Sequence, residues 1–462
     1  MAGTHHICDT LIIGAGLAGL SAARTIEAHN QEEGLRPVSY TVLEAGDKIG
    51  GRVQSETVEI EPGNSVIINP GAQWFHADVR PNSAENPLLP YVREYGMELF
   101  HDDMPRDFYD RGQRGNFLKN IRKINEARRL IDHYQGPDTD LASFFTNSNL
   151  GTGSALCTTF GEVETGAPLH EVSTHDVREL VACNRGEFTK GGLGPFVAKY
   201  AEPVREHVKL NSAVSKINWK PDGREGVVVE TKNGDTYHAK RVILTASVGV
   251  LKSGNIQFNP PLPPAHANSL SHINMGNFNK IFLMFDKKFK FPVNANTHID
   301  AHTRSGHDIF YLSHDNGQPL VTSFFGGDLA RLCDRDPEQA TKLAIDGLAE
   351  IWGDSIRDHI VKTKVTQWGN EPLVRGGYSR VEIGHHDVRQ QLAEPIGGVM
   401  YLAGEAMGTT HPETGRKWAT HMAGAKISGE RAGQEVLQSL SRGSDVGTAG
   451  ERRASFTSYV RT

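Results

Sequence analysis

The chain has 462 residues, of which 38% are hydrophobic, 23% are charged and 49 are glycines. This composition is typical of a loop-rich globular α/β protein, and the length favours more than one domain. A formal net charge of −6 argues against general affinity for nucleic acid or anionic lipid, so we expect a small-molecule ligand.

The amino terminus and the cysteines exclude further classes of protein. No basic segment precedes an apolar region there, and the longest apolar run, LIIGAGLAGL, is far shorter than the roughly 20 residues of a membrane span. We therefore expect no transmembrane anchor and, by default, a cytoplasmic location. The cysteines are scattered without a CxxC pair and suggest neither a disulfide framework nor a metal site; they are Cys8, Cys157, Cys183 and Cys333.

The predicted elements begin with a strand, a helix and a second strand. Residues 9–13 (DTLII) read as a buried parallel strand, residues 17–30 show helical spacing of apolar side chains, and residues 39–45 (SYTVLEA) predict the next strand. The polar stretch 79–189 lacks this alternation and indicates an insertion with helical pieces. Strand patterns then return, including NKIFLMFD at 279–286, and the chain closes with the strand GVMYLAG and the helix THMAGAKISGERAGQEVL.

A glycine-rich motif joins the first strand to the first helix. Gly14, Gly16 and Gly19 form GxGxxG, a pattern that brings bare backbone to a pyrophosphate and directs the helix N-terminus at its charge. Glu44 ends the second strand, where a carboxylate can accept hydrogen bonds from both ribose hydroxyls and would repel the 2′-phosphate of NADP. The alternative is a glycine-rich turn without a ligand.

A second predicted clamp follows in GDKIGGRVQS. Gly51 permits a close backbone approach, and Arg52 can pair with phosphate oxygens. A plain NAD-binding fold does not need this second clamp. The alternative is a surface loop with an incidental arginine.

Five motifs together resemble the flavin-containing amine oxidases, which include monoamine, polyamine and L-amino-acid oxidases: GAGLAG, LEAGDKIGGR, GAQWFH, LAGEA and MAGAKISGERAG. The resemblance implies an α/β fold, with a Rossmann-type FAD-binding domain interleaved with a mixed α+β substrate-binding domain. The expected division assigns 1–78, 190–260 and 386–440 to the FAD-binding domain, 79–189 and 261–385 to the substrate-binding domain, and 441–462 to a mobile tail.

The resemblance also implies cofactor contacts outside the first motif. Val214 is similar to the valine whose main chain meets the adenine, and Glu405 to the acid beside the ribityl-phosphate region. Met422 would direct its backbone N–H at the flavin N1/C2 carbonyl region, although a core methionine is the alternative. The remaining expected contacts are Gly71, Ala72 and Gly404.

Lys280 lies within an apolar strand pattern, where burying an ammonium group is costly without a partner. It resembles the family's lysine that holds a water molecule against flavin N5, which would assist reoxidation by oxygen or orient the water that hydrolyses an imine. The alternative is a strand-edge lysine that reaches solvent, as we expect of Lys287 and Lys288.

Tyr378, in EPLVRGGYS, resembles one wall of the aromatic cage that steers the amine in monoamine oxidases. Gly377 stands where those enzymes carry the cysteine that bonds to the flavin, so the resemblance implies non-covalent FAD. His421 stands in place of the second cage tyrosine, and Trp418, three residues earlier, is expected to contact the substrate. His421 is expected either to contact the substrate or to be satisfied by a backbone carbonyl. The connection MGTTHPETGRK is longer than in monoamine oxidases and is predicted to cover the pocket.

His76 follows the polyamine oxidase form of GAQWFH and is expected to accept a hydrogen bond from a substrate nitrogen. An acidic run nearby would attract a polycation if it lined an entrance, and would otherwise be a solvated face; it comprises Glu94, Glu98, Asp102, Asp103, Asp107 and Asp110.

The implied activity is oxidation of an amine. An alkyl ammonium titrates near a pKa of roughly 10.4, so the pocket must bind or generate the neutral amine before a hydride equivalent passes from its α-carbon to flavin N5. The imine then hydrolyses to an aldehyde or ketone, and oxygen gives hydrogen peroxide. The expected partners are an amine and O2, with the protein a monomer or homodimer.

Several substrate classes stay open at this stage. A polyamine and a primary monoamine, including a long-chain one, both fit. L-Amino-acid oxidation would require an arginine for the substrate carboxylate, for which Arg375 and Arg380 are candidates. A flavin-binding scaffold without oxidase activity is the alternative from another class.

Overall fold

The computed structural model describes residues 4–78, 85–102, 105–180, 183–221, 226–407 and 417–444. Of the sequence predictions, Asp103 of the acidic run, most of the connection after LAGEA and the end of the tail lie outside the described residues. Among the described residues, no helix combines the length and apolar character needed to cross a membrane.

The described residues form strands, which often follow one another directly, and helices. The strands are β1 (His5–Ile13), β2 (Tyr40–Leu43), β3 (Glu56–Glu61), β4 (Asn64–Ile68), β5 (Phe75–Asp78), β6 (Leu99–Asp102), β7 (Arg106–Asp110), β8 (Gln113–Arg114), β9 (Cys183–Thr189), β10 (Val208–Lys209), β11 (Val214–Trp219), β12 (Val227–Thr231), β13 (Thr236–Leu244), β14 (Gln257–Asn259), β15 (Ile273–Met275), β16 (Phe278–Phe285), β17 (Thr297–His302), β18 (Asp308–Ser313), β19 (Leu320–Gly326), β20 (Ile360–Val365), β21 (Ser379–Val381) and β22 (Met400–Leu402). The α-helices are α1 (Leu17–Asn30), α2 (Leu89–Glu94), α3 (Phe117–Asp132), α4 (Leu141–Asn147), α5 (Ser154–Leu156), α6 (Thr174–Glu179), α7 (Gly194–Ala201), α8 (Val248–Lys252), α9 (Pro264–Ser271), α10 (Gly327–Arg335), α11 (Pro337–Trp352), α12 (Val388–Ala393) and α13 (Met422–Ser444). Single helical turns are Cys157–Glu162, Leu169–Glu171, Glu202–His207, Asp315–Gly317 and Asp354–His359.

The first large sheet has the order β10-β2-β1-β13-β12-β11-β14, and β22 pairs with the end of β13. Its centre is parallel, because β1 runs parallel to both β2 and β13. Side chains of β1 alternate between two hydrophobic clusters, with Leu11 in one and Ile12 in the other. Burial on both faces explains why the strand reads as a continuous apolar run. β1 begins before the predicted 9–13, because its polar start still pairs with β13, as in His6 opposite Tyr237.

The second large sheet has the order β20-β16-β19-β18-β17-β7-β8 and is antiparallel except where β7 pairs with β17. Its β16 is the predicted strand 279–286, shifted by one residue. Ile281 and Leu283 pack into the cluster that includes residues of α10 and α11. Because side chains alternate along a strand, Lys280 and Phe282 face the opposite side of the sheet.

Glycines let α13 pack closely on α1. A Cβ at Gly429 would lie 2.1 Å from the carbonyl oxygen of Ala18, and one at Gly433 would lie 2.9 Å from Thr25 Cβ. Side chains at these two positions would push the helices apart, which explains the glycines in MAGAKISGERAG. The contact joins the carboxyl-terminal helix to the first βα unit.

The sheets also bear on the predicted domain division. The first sheet takes its strands from residues 5–43, 208–259 and 400–402, and the second takes its strands from 106–114 and 278–365. The predicted domain boundaries stay predictions. The segments that form each sheet follow one another along the chain in the order that the predicted division gives.

Candidate active site

One cavity of about 710 Å³ is lined by residues of both large sheets and of the loops between them. Predicted site residues on its wall are Gly14, Gly16, Glu44, Gly51, Arg52, Gly71, Ala72, His76, Val214, Lys280, Tyr378, Gly404, Glu405, His421 and Met422. Two predicted residues, Gly19 and Trp418, are not on this wall. The volume lies within the range of cofactor and small-molecule sites.

The turn between β1 and α1 has the geometry of an anion site. Gly14 has φ of 104°, and a Cβ at Gly16 would meet no atom within 4 Å, so this backbone borders open cavity. The first turn of α1 contains no acidic side chain, and its N-cap makes no side-chain hydrogen bond. Its N–H groups can therefore bind an anion. Gly19 serves packing instead, because a Cβ there would lie 1.8 Å from the carbonyl oxygen of Gly14.

Glu44 lies beside this turn, at the end of β2. Its Oε2 accepts a hydrogen bond from the backbone N–H of Ala15 at 2.7 Å, and its Oε1 accepts one from Gly46 at 2.8 Å. Each carboxylate oxygen has a further lone pair, so Glu44 can still accept from two hydroxyl groups on the cavity side. This arrangement fits the predicted ribose contact.

A buried chain of polar groups fixes the second clamp. Arg52 Nη1 donates to Glu405 Oε1 at 2.9 Å, and Ser379 Oγ donates to Glu405 Oε2 at 2.7 Å. Burial disfavours the charged form of Glu405, but Arg52, Ser379 and Arg389 outweigh it and hold the pKa of this carboxyl below its ordinary value. The other nitrogens of Arg52 bond to no described residue, and the predicted phosphate contact would come from them.

Lys280 is only 1% exposed, so the alternative of a strand-edge lysine reaching solvent is wrong. Its Nζ donates to the carbonyl oxygens of Asn69 at 2.8 Å and Gly71 at 2.7 Å, and to Gln73 Oε1 at 2.9 Å. An ammonium group has three N–H donors, and protein oxygens accept from all of them. The water-holding role stays a prediction, and it would require the exchange of one of these contacts.

Tyr378 presents its ring to the cavity, and its hydroxyl donates to the carbonyl oxygen of Val163. The ring centre lies 5.2 Å from that of Phe278. Burial, together with the negative charge of Glu164, raises the pKa of Tyr378 well above its ordinary value. The phenol is therefore neutral and is already committed to a backbone acceptor.

Packing leaves no room for a side chain at Gly377. A Cβ at this position would lie 2.7 Å from Phe278 Cβ, so even a small side chain would displace the neighbouring strand. This geometry adds a steric reason for glycine at the position where the resemblance places the flavin-bonding cysteine of monoamine oxidases.

His76 and His421 meet edge to face on the cavity wall, with ring centres 4.9 Å apart. Burial lowers the pKa of His76 well below its ordinary value, and His421 adds to this effect, so His76 is neutral. His421 Nδ1 lies 2.8 Å from the carbonyl oxygen of Ala419 and must donate to it. The expected backbone contact of His421 is thus present, and the ring still lines the cavity.

Trp418 lies behind the wall rather than on it. It is 1% exposed and packs with Ala423 and Ile427, while its ring meets His421 edge-on at 6.4 Å between centres. Gly424 accommodates this arrangement, because a Cβ there would lie 1.9 Å from the carbonyl oxygen of Trp418. The predicted substrate contact of Trp418 is therefore replaced by support of His421.

Glu164 and His298 are among the wall residues that the sequence did not single out. Glu164 lies on the wall beside Tyr378. His298 lies further along the cavity, and its Nε2 is 3.0 Å from Asp102 Oδ2. Because a carboxylate only accepts, Nε2 carries the proton in the neutral ring and Nδ1 is an acceptor. Asp102 was expected on an acidic surface, but it is 1% exposed and also accepts from Trp74 Nε1 at 2.9 Å.

Neither candidate arginine for binding a substrate carboxylate lies on the cavity wall. Arg380 donates to Glu171, and Arg375 is exposed outside the cavity lining. Besides Arg52, which is paired with Glu405, the cavity wall includes Arg106, which forms a bidentate pair with Asp300 at 2.5 and 2.9 Å. This geometry disfavours an amino acid as the substrate.

A cluster of Asp138, His175 and His386 brings possible metal ligands within 4.8 Å of one another. Both oxygens of Asp138 already accept hydrogen bonds, from Ser173, Thr174, Gly384 and the backbone of His175. A carboxylate with this many donors has no lone pair left for a cation. The cluster is therefore a hydrogen-bonded junction.

The comparisons with known proteins agree with this site. Residues 17–143 and 133–437 match the family described as flavin containing amine oxidoreductase. Probable polyamine oxidase 4 of Arabidopsis thaliana is 26% identical, covering 91% of this chain and 86% of the relative. Human lysine-specific histone demethylase 2 is also 26% identical, but the chain covers only 54% of its length.

Solved structures of amine oxidases share the fold. Putrescine oxidase bound to putrescine superposes with a TM-score of 0.74 at 17% identity, covering 94% of this chain and 100% of that one. Cyclohexylamine oxidase from Brevibacterium oxydans IH-35A gives a TM-score of 0.73 at 18% identity, with the same coverage.

The chain therefore belongs to the flavin-containing amine oxidoreductase family. It is an FAD-dependent amine oxidase, with the predicted two-domain fold and with relatives among polyamine oxidases. The open backbone at Gly16, the acceptors of Glu44 and the N-terminus of α13 at Met422 fit the cofactor.

We expect the FAD to be released when the purified protein is precipitated with acid. Gly377 has no thiol, and Phe278 fills the space that a side chain there would need. The measurement is the flavin absorbance of the supernatant and of the washed pellet. Yellow colour retained by the pellet would contradict non-covalent binding.

Proposed function

We propose that this enzyme oxidises a diamine or polyamine, with the reacting nitrogen near Tyr378 and a second, charged nitrogen bound by Glu164. The observation that carries the proposal is the position of Glu164 on the cavity wall beside the ring of Tyr378, close enough to raise the pKa of its phenol. A carboxylate in such surroundings favours a cationic group, and a substrate with two nitrogens can supply one while presenting the other for oxidation.

The rest of this end of the cavity also suits a substrate with N–H donors. In its neutral form, with the proton on the Nε2 that faces Asp102, His298 offers Nδ1 as an acceptor. The positive charge of Arg106 is balanced by Asp300 within hydrogen-bond distance. The wall therefore presents acceptors for the N–H groups of a substrate, and the carboxylate of Glu164 is one of them.

At the reacting end, the chain supplies orientation and a setting for a neutral amine. His76 carries no positive charge that would oppose the substrate, and its buried Nδ1 has no partner among the described residues. This nitrogen can accept a hydrogen bond from the amine. Apolar, aromatic surroundings favour the neutral form of the reacting nitrogen by desolvation, and the ring of Tyr378 limits its approach.

When bound, FAD would accept the hydride equivalent that leaves the α-carbon of the amine and would pass the electrons to oxygen, which gives hydrogen peroxide. The β1–α1 turn, Glu44, Val214 and the start of α13 would hold it. Lys280 places its side-chain nitrogen on the cavity wall, where protein oxygens accept hydrogen bonds from it, and we propose that its positive charge assists the reaction with oxygen.

The proposal predicts a selective effect of Glu164→Gln. We expect KM for putrescine or spermidine to rise roughly 10- to 100-fold, the loss expected for a hydrogen bond to a charged group, while kinetics with benzylamine change little. Peroxide-coupled initial rates provide the measurement. Glu338→Gln, at an exposed position of α11, is the matched control. An equal loss for both amine types would contradict the assigned contact.

A long-chain primary monoamine is the second candidate. Helix α3 contributes apolar side chains to the cavity wall, namely Phe117, Ile121 and Ile124. These side chains could pack on an alkyl chain. A screen of putrescine, spermidine, N-acetylated polyamines, benzylamine, long-chain primary amines and amino acids separates the candidates. Turnover of long-chain amines alone would favour the second.

The compartment and the assembly are further proposals from the sequence. We propose a cytoplasmic protein that is a monomer or a homodimer. Subcellular fractionation and light scattering of the purified holoenzyme test these two points.

A further inference from the structure

The oxygens around the Lys280 ammonium connect it to a second buried charge. Gln73 accepts from Lys280 through Oε1, and its Nε2 lies 3.2 Å from Asp315 Oδ2 and 3.3 Å from Oδ1. Because an ammonium only donates and a carboxylate only accepts, these contacts fix the orientation of the Gln73 amide. Lys280, Gln73 and Asp315 are 1%, 4% and 2% exposed, so the connection is shielded from solvent.

Asp315 is held by neighbours on other elements. Thr322 of β19 donates its hydroxyl to Asp315 Oδ2 at 2.9 Å. The nearby titratable groups are Lys280 across Gln73, and Asp102, whose charge acts on Asp315 from β6. Asp102 is in turn bound by His298 Nε2. Asp315 is thus the carboxylate linked to Lys280, while Asp102 has its own partner.

Opposing effects act on the protonation of this pair. Burial lowers the pKa of Lys280, and the Asp315 carboxylate opposes that shift. Burial raises the pKa of Asp315, against the hydrogen bond from Thr322 and the charge of Lys280. Three acceptors around Nζ and two donor groups on the carboxylate favour the charged form of each group. We therefore assign the pair as an ammonium and a carboxylate separated by one amide.

We propose that Asp315, acting through Gln73, is a positioning residue that keeps Lys280 as an ammonium ion on the cavity wall. The inference rests on the role proposed above for Lys280 in the oxidation. Without the carboxylate, burial acts on Lys280 unopposed, and its pKa falls. As the pH rises, Lys280 then loses its proton at a lower pH than it does in the wild-type enzyme.

The first test is the pH dependence of Asp315→Asn. The reduced holoenzyme is mixed with oxygen from about pH 6 to about pH 10, a range that spans the ordinary histidine and lysine pKa values. We expect the alkaline decline of the reoxidation rate to move down by about one pH unit or more. Gln73→Leu, which breaks the link while leaving both charges, should shift it in the same direction. Asp354→Asn, an exposed carboxylate on another face, is the control. Unshifted profiles in Asp315→Asn and Gln73→Leu would overturn the proposal.

The second test measures the pair without any substrate. Thermal unfolding is followed for Lys280→Met, Asp315→Asn and the double variant. Lys280→Met strands a buried carboxylate and lowers the midpoint, and adding Asp315→Asn should recover at least half of that loss. Additive losses would overturn the coupling. If no amine is oxidised but the double variant recovers stability, the proposed function is wrong and the coupling of Lys280 with Asp315 stands. If amines are oxidised but the double variant shows additive losses, only the coupling is wrong.

Discussion

Lys280→Met is expected to slow reoxidation of the reduced enzyme by roughly 10²-fold, the effect of removing one preorganised electrostatic group, while FAD stays bound. Lys280 is the buried cation on the cavity wall, and its ammonium is fixed by three protein oxygens. Stopped-flow mixing of the reduced variant with oxygen gives the rate, and the flavin-to-protein absorbance ratio reports occupancy.

Lys287→Met is the matched control for this experiment. Lys287 follows the same strand but is exposed, so its removal should leave the rate unchanged. Wild-type reoxidation in Lys280→Met would refute the role of the ammonium. Loss of FAD with unchanged chemistry after reconstitution would instead assign Lys280 to cofactor binding.

Arg389→Met is expected to lower the free energy of unfolding by about 3–5 kcal/mol, because it leaves a buried carboxylate without its partner. Arg389 is fully buried in α12, where its Nε and Nη2 lie 3.0 and 3.1 Å from the carboxylate of Asp176. Its Nη1 also donates to Ser379 Oγ at 2.6 Å, and Ser379 donates to Glu405. The substitution therefore loosens the clamp at Arg52 as well.

Urea unfolding of the holoenzyme at a fixed FAD concentration measures this change, since bound cofactor adds to apparent stability. Arg357→Met removes an arginine from exposed pairs with Asp346 and Asp354, and we expect it to cost less than about 1 kcal/mol. Equal losses for the two variants would contradict the buried-pair argument.

The nucleotide half of the site was predictable because its information is local. Gly14, Gly16 and Gly19 lie within one strand–turn–helix unit, and the conformation of that unit follows from the absence of side chains. Glu44 follows from the end of the adjacent strand. The resemblance to flavin-containing amine oxidases supplied Lys280 and Tyr378, and the structure places both on the wall of the cavity.

The rest of the cavity wall depends on contacts between residues that lie far apart in the sequence. No local sequence pattern encodes such contacts. Asp315 lies in a DNG sequence that reads as an ordinary turn, yet Gln73 links it to a lysine 35 residues earlier in the chain. Asp102 belonged to a run of acids typical of a solvated face, and the fold buries it against Trp74 and His298. Burial of a polar residue depends on what packs over it, which sequence spacing alone does not specify.

The close packing of α13 on α1 has a consequence for biosynthesis. The turn after β1 is synthesised well before Gly404, Glu405 and Met422, which also lie on the cavity wall. Chain elongation proceeds from the amino terminus at about 5–20 residues per second. The cavity wall is therefore complete only after α13 has been synthesised, and we expect stable capture of FAD to follow the synthesis of that helix.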